Sequence, residues 1–406
     1  MNRYIINDIN VSVFENDVLF HNVEYQLKFY FSQIKNIEIN DGKVVIEFED
    51  TINYNEVTKV AKSIVDKFSR LSNINIDKVL YSDKENINRL NELDETIENV
   101  KEKFNKISAI FLKKVTTNSH TAKIIPSKLL PPGLNYYNAN DAFLIKCIDE
   151  FLKECFETIF KAENILIPSM IKKEIVAKAG YFDTGCQHLS FISPLVKEEN
   201  GLMEFQKKYK QCILDTTIFN YTEKPKYILN PAICLHFYPL FKEMDLDNDI
   251  IVTSSGSCFR DESGNLNNIE RLYEFKMREI VICTKEENIK SFQKRLLALM
   301  VLIGNFFCVD FKLKTSNDMF FLDNADKQLF SQLVTDDKIE LECFCKSINK
   351  YISVGSVNKH HLHFSKPFNL INSNSEFLNT MCLGFGINRL LAILKSSELL
   401  NSKKEE

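Results

Sequence analysis

Between Ser257 and Glu279 the chain reads SCFRDESGNLNNIERLYEFKMRE. This stretch gathers Arg260, Glu262, Arg271, Phe275 and Glu279, and it ends against the apolar run Ile280-Val281-Ile282. A guanidinium is a planar fork of donors that can meet two phosphate oxygens at once. An aromatic ring nearby offers a face to a base. These residue types together predict a nucleotide site. Taken alone, the same stretch also fits a charged β-hairpin with solvated tips.

A second segment, Leu383-Gly-Phe-Gly-Ile-Asn-Arg389, places two glycines just ahead of an arginine. Glycines let a backbone approach a ligand closely. Arg389 falls one helical turn in, with Leu390, Leu391 and Ile393 as the packed face. By itself this is a tight strand-to-helix turn with a surface arginine, and its weight comes from pairing with the Arg260 segment. Cys234 (in NPAICLHFYP), Glu279 (in KMREIV) and Cys382 (in NTMCLGFG) are of metal-ligating types but stand far apart in sequence. There is no CxxC or HxxxH pair, so a structural zinc knuckle is not indicated. One at a time, each cysteine reads as a small buried hydrophobe.

The elements that must position these residues can be read from periodicity. In Lys43–Glu49, Val44, Ile46 and Phe48 alternate with Val45, Glu47 and Glu49, which is strand spacing. Val57, Val60, Ala61, Ile64 and Phe68 recur at helical spacing, and Asn53 with Glu56 marks the helix start. Asp94–Lys114 predicts a charged amphipathic helix, and Thr116–Gly133 a turn-rich linker. Asp141–Phe160 predicts a long helix, Ile165–Pro168 a short strand and Lys172–Ala179 a helix. Further strands are expected at Asp249–Thr253, Ile280–Cys283 and Phe306–Lys312, and helices at Lys285–Ile303 and Phe385–Lys395. The reading is an α+β chain: a small α+β domain over 1–92, a helix and linker over 93–133, a mixed sheet with helices behind it over 134–396, and a polar tail over 397–406.

At 406 residues, with hydrophobic residues at 45%, a sizeable core is available. The formal net charge of -4 gives no overall pull towards nucleic acid. Residues 1–100 carry 11 Lys/Arg against 18 Asp/Glu, and such a module repels a polyanion. The scattered, odd-numbered set of 11 cysteines and the absence of a signal-like start point to a reducing, cytoplasmic setting. The longest apolar run, Leu296–Phe307, is too short to span a bilayer and reads as a buried helix.

The paired segments resemble motif 2 (Phe259-Arg260-Asp261-Glu262) and motif 3 (Gly384-Phe385-Gly386-Ile387-Asn388-Arg389) of class II aminoacyl-tRNA synthetases. Ala179-Gly-Tyr-Phe182, Phe275-Lys-Met-Arg-Glu-Ile-Val281, Asn317-Asp-Met-Phe-Phe321, Lys338-Ile-Glu-Leu341, Ser356-Val-Asn-Lys-His360 and His363-Phe364 narrow the branch. Over roughly Leu134–Leu394 the chain resembles the amino acid:[carrier protein] ligases, relatives of the atypical, zinc-dependent seryl-tRNA synthetases. The resemblance implies a class II synthetase-like antiparallel sheet with flanking helices. It also implies one catalytic Zn2+ held by Cys234, Glu279 and Cys382, whose open position takes the α-amino group of a substrate lying against Glu279.

The implied ATP contacts are Arg260 on the α-phosphate, Glu262 on the adenine amino group and Phe275 stacked on the base. Arg271 would reach the terminal phosphates and Arg389 the γ-phosphate, and Glu340 would act through Mg2+. Leu272, Ser356, Asn358 and the backbone at Gly355 would line the site. The implied activity is ATP-dependent activation of a small amino acid (Gly, Ala or Ser) as an aminoacyl-adenylate, with Arg260 and Arg389 catalytic. The product would pass to the phosphopantetheine thiol of a carrier protein. A homodimer built through Ile165-Leu-Ile-Pro168 is expected, with no membrane role and tRNA disfavoured as a partner. The alternatives are an atypical seryl-tRNA synthetase and a non-catalytic regulatory paralogue. The chain departs from the family's pattern at Thr184-Gly185-Cys186 and at Lys359 with Leu362-His363, which bears on amino-acid choice and partner docking.

Overall fold

The computed structural model describes residues 2–7, 9–71, 78–90, 93–117, 130–210, 215–308, 310–316 and 337–400. The Asn317–Phe321 segment, most of the expected linker and the end of the polar tail lie outside them.

The N-terminal unit runs β1 (Asn2–Ile6), α1 (Asp17–Tyr30), β2 (Ile34–Asn40), β3 (Lys43–Phe48) and α2 (Tyr54–Phe68). β3 lies between β1 and β2, antiparallel to both. The alternation of Val44, Ile46 and Phe48 turns these side chains onto α1 and α2, where they join Leu19, Val23, Val57, Ala61, Ile64 and Phe68 in a core of their own. Asn53 caps α2, accepting from the Glu56 N–H at 3.3 Å, the kind of contact whose loss costs about 1 kcal/mol.

Among the described residues this core runs to Leu71. The next strands, β4 (Val79–Ser82) and β5 (Ile87–Asn88), belong to the large sheet instead. Leu80 and Tyr81 are apolar and find cover only against the main core.

The rest of the chain continues through α3 (Leu93–Thr117), α4 (Ala139–Phe160), β6 (Glu163–Asn164), β7 (Met170–Lys172), α5 (Lys173–Lys178), α6 (Tyr181–Thr184), β8 (Phe191–Ile192) and α7 (Glu199–Tyr209). It goes on to β9 (Tyr227–Leu229), α8 (Phe237–Phe241), β10 (Ile250–Phe259), β11 (Glu274–Thr284), α9 (Glu286–Phe307), β12 (Phe311–Thr315), β13 (Lys338–Cys345), β14 (Lys350–His361), β15 (Asn379–Gly386) and a C-terminal helix, Ile387–Ser396. The nine-stranded sheet has the order β5-β4-β12-β13-β14-β15-β11-β10-β6. Only the β10–β6 pairing is parallel among the described strands.

One face of the sheet is apolar under the helices, whereas the other carries polar residues at the cleft, so β12 and β13 alternate buried and half-buried positions. In β11, Ile280 and Ile282 pack under α3, α4, α9 and the C-terminal helix, while Val281 and Cys283 face the other side. The helical layer is stitched by phenylalanines, with Phe111 and Phe151 5.0 Å apart and Phe306 and Phe307 5.1 Å apart between ring centroids. On the opposite face, β7, β9 and β8 form a small sheet beside the cleft described below.

Three expected elements shift. The strand expected at Ile165–Pro168 is Glu163–Asn164; the Ile165 N–H still donates to Thr253 O, but Pro168 has no donor and Leu166 stands 87% exposed. The strand expected at Phe306–Lys312 begins only at Phe311, because Phe306 and Phe307 complete α9 and its aromatic cluster. The helix expected from Phe385 starts at Ile387, since Phe385 is a buried residue of β15, which runs on to Gly386. Among the described residues no helix is long and apolar enough to cross a membrane. The Leu296–Phe307 run is the buried second half of α9.

Candidate active site

Sheet register brings the chemistry into line. Ser254 of β10 pairs with Glu279 of β11, Glu279 with Gly384 of β15, Gly384 with Ser356 of β14, and Ser356 with Glu340 of β13. Residues directly opposite each other in an antiparallel ladder share a face. One transverse row therefore carries Glu279, Gly384, Ser356 and Glu340. The row two residues along holds Val281, Cys382 and Asn358. A Cβ on Gly384 would lie 3.1 Å from the Glu279 Cγ and 3.0 Å from the Met277 Cε. Glycine at this position is what lets the Glu279 side chain lie over β15.

Cys234 reaches this row from outside the sheet, on the short turn Ile233–His236 before α8. Its N–H donates to Glu279 Oε2 at 3.0 Å. The two thiol sulfurs and a Glu279 oxygen all lie within 4.8 Å of one another, and all three residues are buried. The Cys234 thiol alongside it, together with burial, raises the Cys382 pKa well above the ordinary thiol value. Burial raises that of Glu279, while the Arg260 charge and the Ile233 and Cys234 amides pull the other way.

Three groups that ionise to anions are thus packed in a dry place, and a cation among them is what would let them ionise together. Ligands at about 2.0–2.3 Å from a tetrahedral ion lie roughly 3.3–3.8 Å from one another, so three donors already within 4.8 Å fit a divalent metal with one position left open. His360 Nε2 and Asn358 Nδ2 flank Cys382 Sγ at 3.5 and 3.8 Å.

The other wall is cationic. Arg260 follows β10; its Nε donates to Pro231 O at 3.1 Å, and its guanidinium stands 5.3 Å from the Phe275 ring centroid, within cation–π range. Arg389, in the first turn of the C-terminal helix, donates to Glu270 O and to Ser353 O, both at 2.8 Å. Burial lowers its pKa, helped by neighbouring Arg271, yet a guanidinium keeps its proton. Glu262 is buried, and its Oε2 accepts from Arg271 at 2.6 Å and from the Tyr25 hydroxyl at 2.7 Å. Burial opposes ionisation there, but the charges of Arg271 and His188 outweigh it and hold the pKa at about 2.

A single cleft of about 490 Å³ unites these features, a size ordinary for small-molecule and cofactor sites. Every residue expected from sequence to bind metal or nucleotide lines it: Cys234, Glu279 and Cys382, and Arg260, Glu262, Arg271, Leu272, Phe275, Glu340, Gly355, Ser356, Asn358 and Arg389. The departures noted in the sequence meet here too. Thr184, Lys359 and His363 line the cleft, and His363 Nε2 lies 3.2 Å from Ala179 O. Cys186 is exposed.

Sequence reasoning missed Tyr25, His188 and His360 as parts of this site. His360 stands inside a quoted motif, so its proximity to Ser356 and Asn358 along one strand was the available signal. Tyr25 and His188 arrive from other elements and carried none.

The family model "tRNA synthetase class II core domain (G, H, P, S and T)" matches residues 218–398. A type-2 serine–tRNA ligase of Methanopyrus kandleri is 25% identical over 271 residues, 62% of this chain and 51% of that protein. An amino acid–[acyl-carrier-protein] ligase of Bradyrhizobium diazoefficiens is 26% identical over 170 residues, 40% of this chain and 49% of that protein. The chain thus spans about half the length of the curated relatives it matches.

Among solved structures, M. kandleri SerRS bound to an A. aeolicus tRNASec aligns with a TM-score of 0.59 at 19% identity, covering 91% of this chain and 73% of the other. Giardia lamblia prolyl-tRNA synthetase with prolyl-adenylate aligns at 0.50 and 13% identity, covering 73% and 53%. These two likenesses concern the fold: a large, mainly antiparallel sheet with flanking helices. Residues 218–398 thus match the class II tRNA synthetase core, and the chain is similar to amino acid–[acyl-carrier-protein] ligases and serine–tRNA ligases at modest identity.

Proposed function

We propose that this protein is a ligase that activates a small amino acid with ATP and passes it to the phosphopantetheine thiol of a carrier protein. The observation that carries the reading is the convergence of Cys234, Glu279 and Cys382 within 4.8 Å in the same cleft as Arg260 and Arg389. Cys234, Glu279 and Cys382 would hold a zinc ion, which supplies an open coordination position for a free α-amine and so selects against N-blocked substrates.

The remaining chemistry belongs to the chain's own groups. A carboxylate oxygen of the amino acid attacks the α-phosphorus of ATP, the bond to the β-phosphate oxygen breaks, and pyrophosphate leaves with the electron pair. Arg260 would stabilise the charge on the crowded phosphorus and Arg389 that on the leaving pyrophosphate. Phe275 would stack on the base, Glu262 would accept from its amino group, and Glu340 would hold Mg2+ with the phosphates. In the second step the carrier thiol, losing its proton to solvent, attacks the acyl carbon. AMP departs and a thioester remains.

Small substrates, Gly, Ala or Ser, suit a pocket in which His360 crowds the metal-ligand side, its Nε2 3.5 Å from Cys382 Sγ. A homodimer is part of the proposal, with the exposed Leu166 segment as its seam.

A second reading, serine–tRNA ligation, is favoured by the longer alignment with that relative, 62% of the chain against 40% for the carrier-protein ligase. The acidic first hundred residues, 18 Asp/Glu against 11 Lys/Arg, speak against a tRNA-binding arm. Transfer of radiolabelled amino acid to acceptors separates the two. The proposal expects label on a phosphopantetheinylated carrier protein and none on tRNA. Label on tRNA alone would replace it with the second reading.

A further inference from the structure

The N-terminal unit touches the motif 2 loop directly. Tyr25, on α1, is buried and lies far from Glu262 in sequence, yet its hydroxyl donates to Glu262 Oε2 at 2.7 Å. The Arg271 guanidinium stacks on the Tyr25 ring, 4.5 Å from its centroid, and bonds the same Oε2 at 2.6 Å. The loop is fastened to α1 on its other side as well, where Asn265 Nδ2 donates to Tyr25 O at 2.9 Å. A Cβ at Gly264 would lie 2.3 Å from Lys28 O and 2.7 Å from Ser32 Cα, so only glycine allows this approach of loop to helix end.

The Tyr25 and Arg271 bonds to the Glu262 carboxylate both fall on Oε2. Glu262 lines the cleft, and its Oε1 carries neither of these bonds. The two oxygens are thereby divided between anchoring and recognition. A tethered carboxylate with one oxygen presented suits an exocyclic amino group, and a hydroxyl clamp fixes it before any ligand arrives.

We propose that Tyr25 is a positioning residue of the nucleotide site, through which the N-terminal unit, together with Arg271, holds Glu262 in register to read the 6-amino group of adenine. This rests on the nucleotide reading above and assigns the N-terminal unit a part in base selection.

The test is Tyr25→Phe in the full chain, which keeps the ring under Arg271 and removes only the hydroxyl. Pyrophosphate exchange is followed with ATP and with ITP, which lacks the 6-amino group, and hydrogen exchange is read over the amides of 261–271. The KM for ATP is expected to rise roughly tenfold, the scale of a lost hydrogen bond to a charged group. The KM for ITP, the KM for the amino acid and kcat stay unchanged, while amide exchange in the loop speeds up. Gly264→Ala, which pushes α1 off the loop without altering the hydroxyl, is expected to reproduce the ATP-selective defect.

Equal shifts for ATP and ITP would make Tyr25 merely structural and overturn the inference, as would no shift at all. A fall in the KM for ATP would mean that the hydroxyl blocks the base, and overturns it too. Calorimetric titration of the wild-type protein with ATP separates the two levels. Binding that Tyr25→Phe leaves unchanged sinks this inference alone, whereas no binding by the wild type sinks the nucleotide reading with it.

Discussion

At the scale of single residues, Glu262 shows how a buried charge is kept. Its carboxylate is almost dry, yet Arg271 and His188 hold its pKa near 2, against an ordinary 4.5. A depressed carboxylate pKa contributes stability that is fully present above the unfolded value and is lost as pH falls through the folded one. The Glu262 contribution, about 3 kcal/mol on this shift, should therefore be intact from neutral pH down to about 4.5 and fade between there and pH 2. Glu262→Gln cannot ionise, and it leaves the half-buried Arg271 beside a neutral partner. Denaturant unfolding at stepped pH should show the variant less stable than the wild type at pH 7, with the gap closing only below about pH 4.5. A gap that stays constant down to pH 3 would mean that the carboxylate charge is not what the clamp uses.

At the scale of elements, β11 and β15 do most of the positioning. Their register sets Glu279 against Gly384 and Val281 against Cys382, and a side chain at 384 would press on the Glu279 Cγ at 3.1 Å. Gly384→Ala should leave the fold intact and weaken metal retention by roughly tenfold or more, as changes around ligating side chains commonly do. Competition with a chromogenic chelator would measure it, and an unchanged affinity would show that Glu279 does not need that space.

These two strands were also the most legible part of the sequence. Arg260, Glu262 and Phe275 on one hairpin, and the glycines ahead of Arg389, are local patterns whose spacing is set by strand and helix geometry. The short apolar runs were less legible. Phe306-Phe307 reads equally as strand or helix until Phe104, Phe111 and Phe151 decide it from two other helices. Ile165–Pro168 has strand composition, but Pro168 cannot extend a ladder, so the pairing sits two residues earlier. Cys234 and Cys382 carry no spacing signal at all, because a turn and a central strand bring them together only after the sheet has formed. Their assignment came from motif context.

For the whole molecule, two units with separate cores meet at one site. The N-terminal unit has its own core, which made it readable as a separate module. Its end was not readable, because β4 resembles any short apolar strand and only pairing with β12 places it in the large sheet. Its contact with the cleft was invisible as well, since Tyr25 and Glu262 share no pattern and meet only through docking of α1 on the motif 2 loop.

The proposed activity depends on a metal-borne grip on an amino acid beside bound ATP. It is tested most directly by pyrophosphate exchange across Gly, Ala and Ser, run on the protein as purified, after chelation, and after zinc is returned. The account predicts exchange with at least one of the three, lost on stripping and restored by zinc. Undiminished exchange in metal-free protein would contradict it.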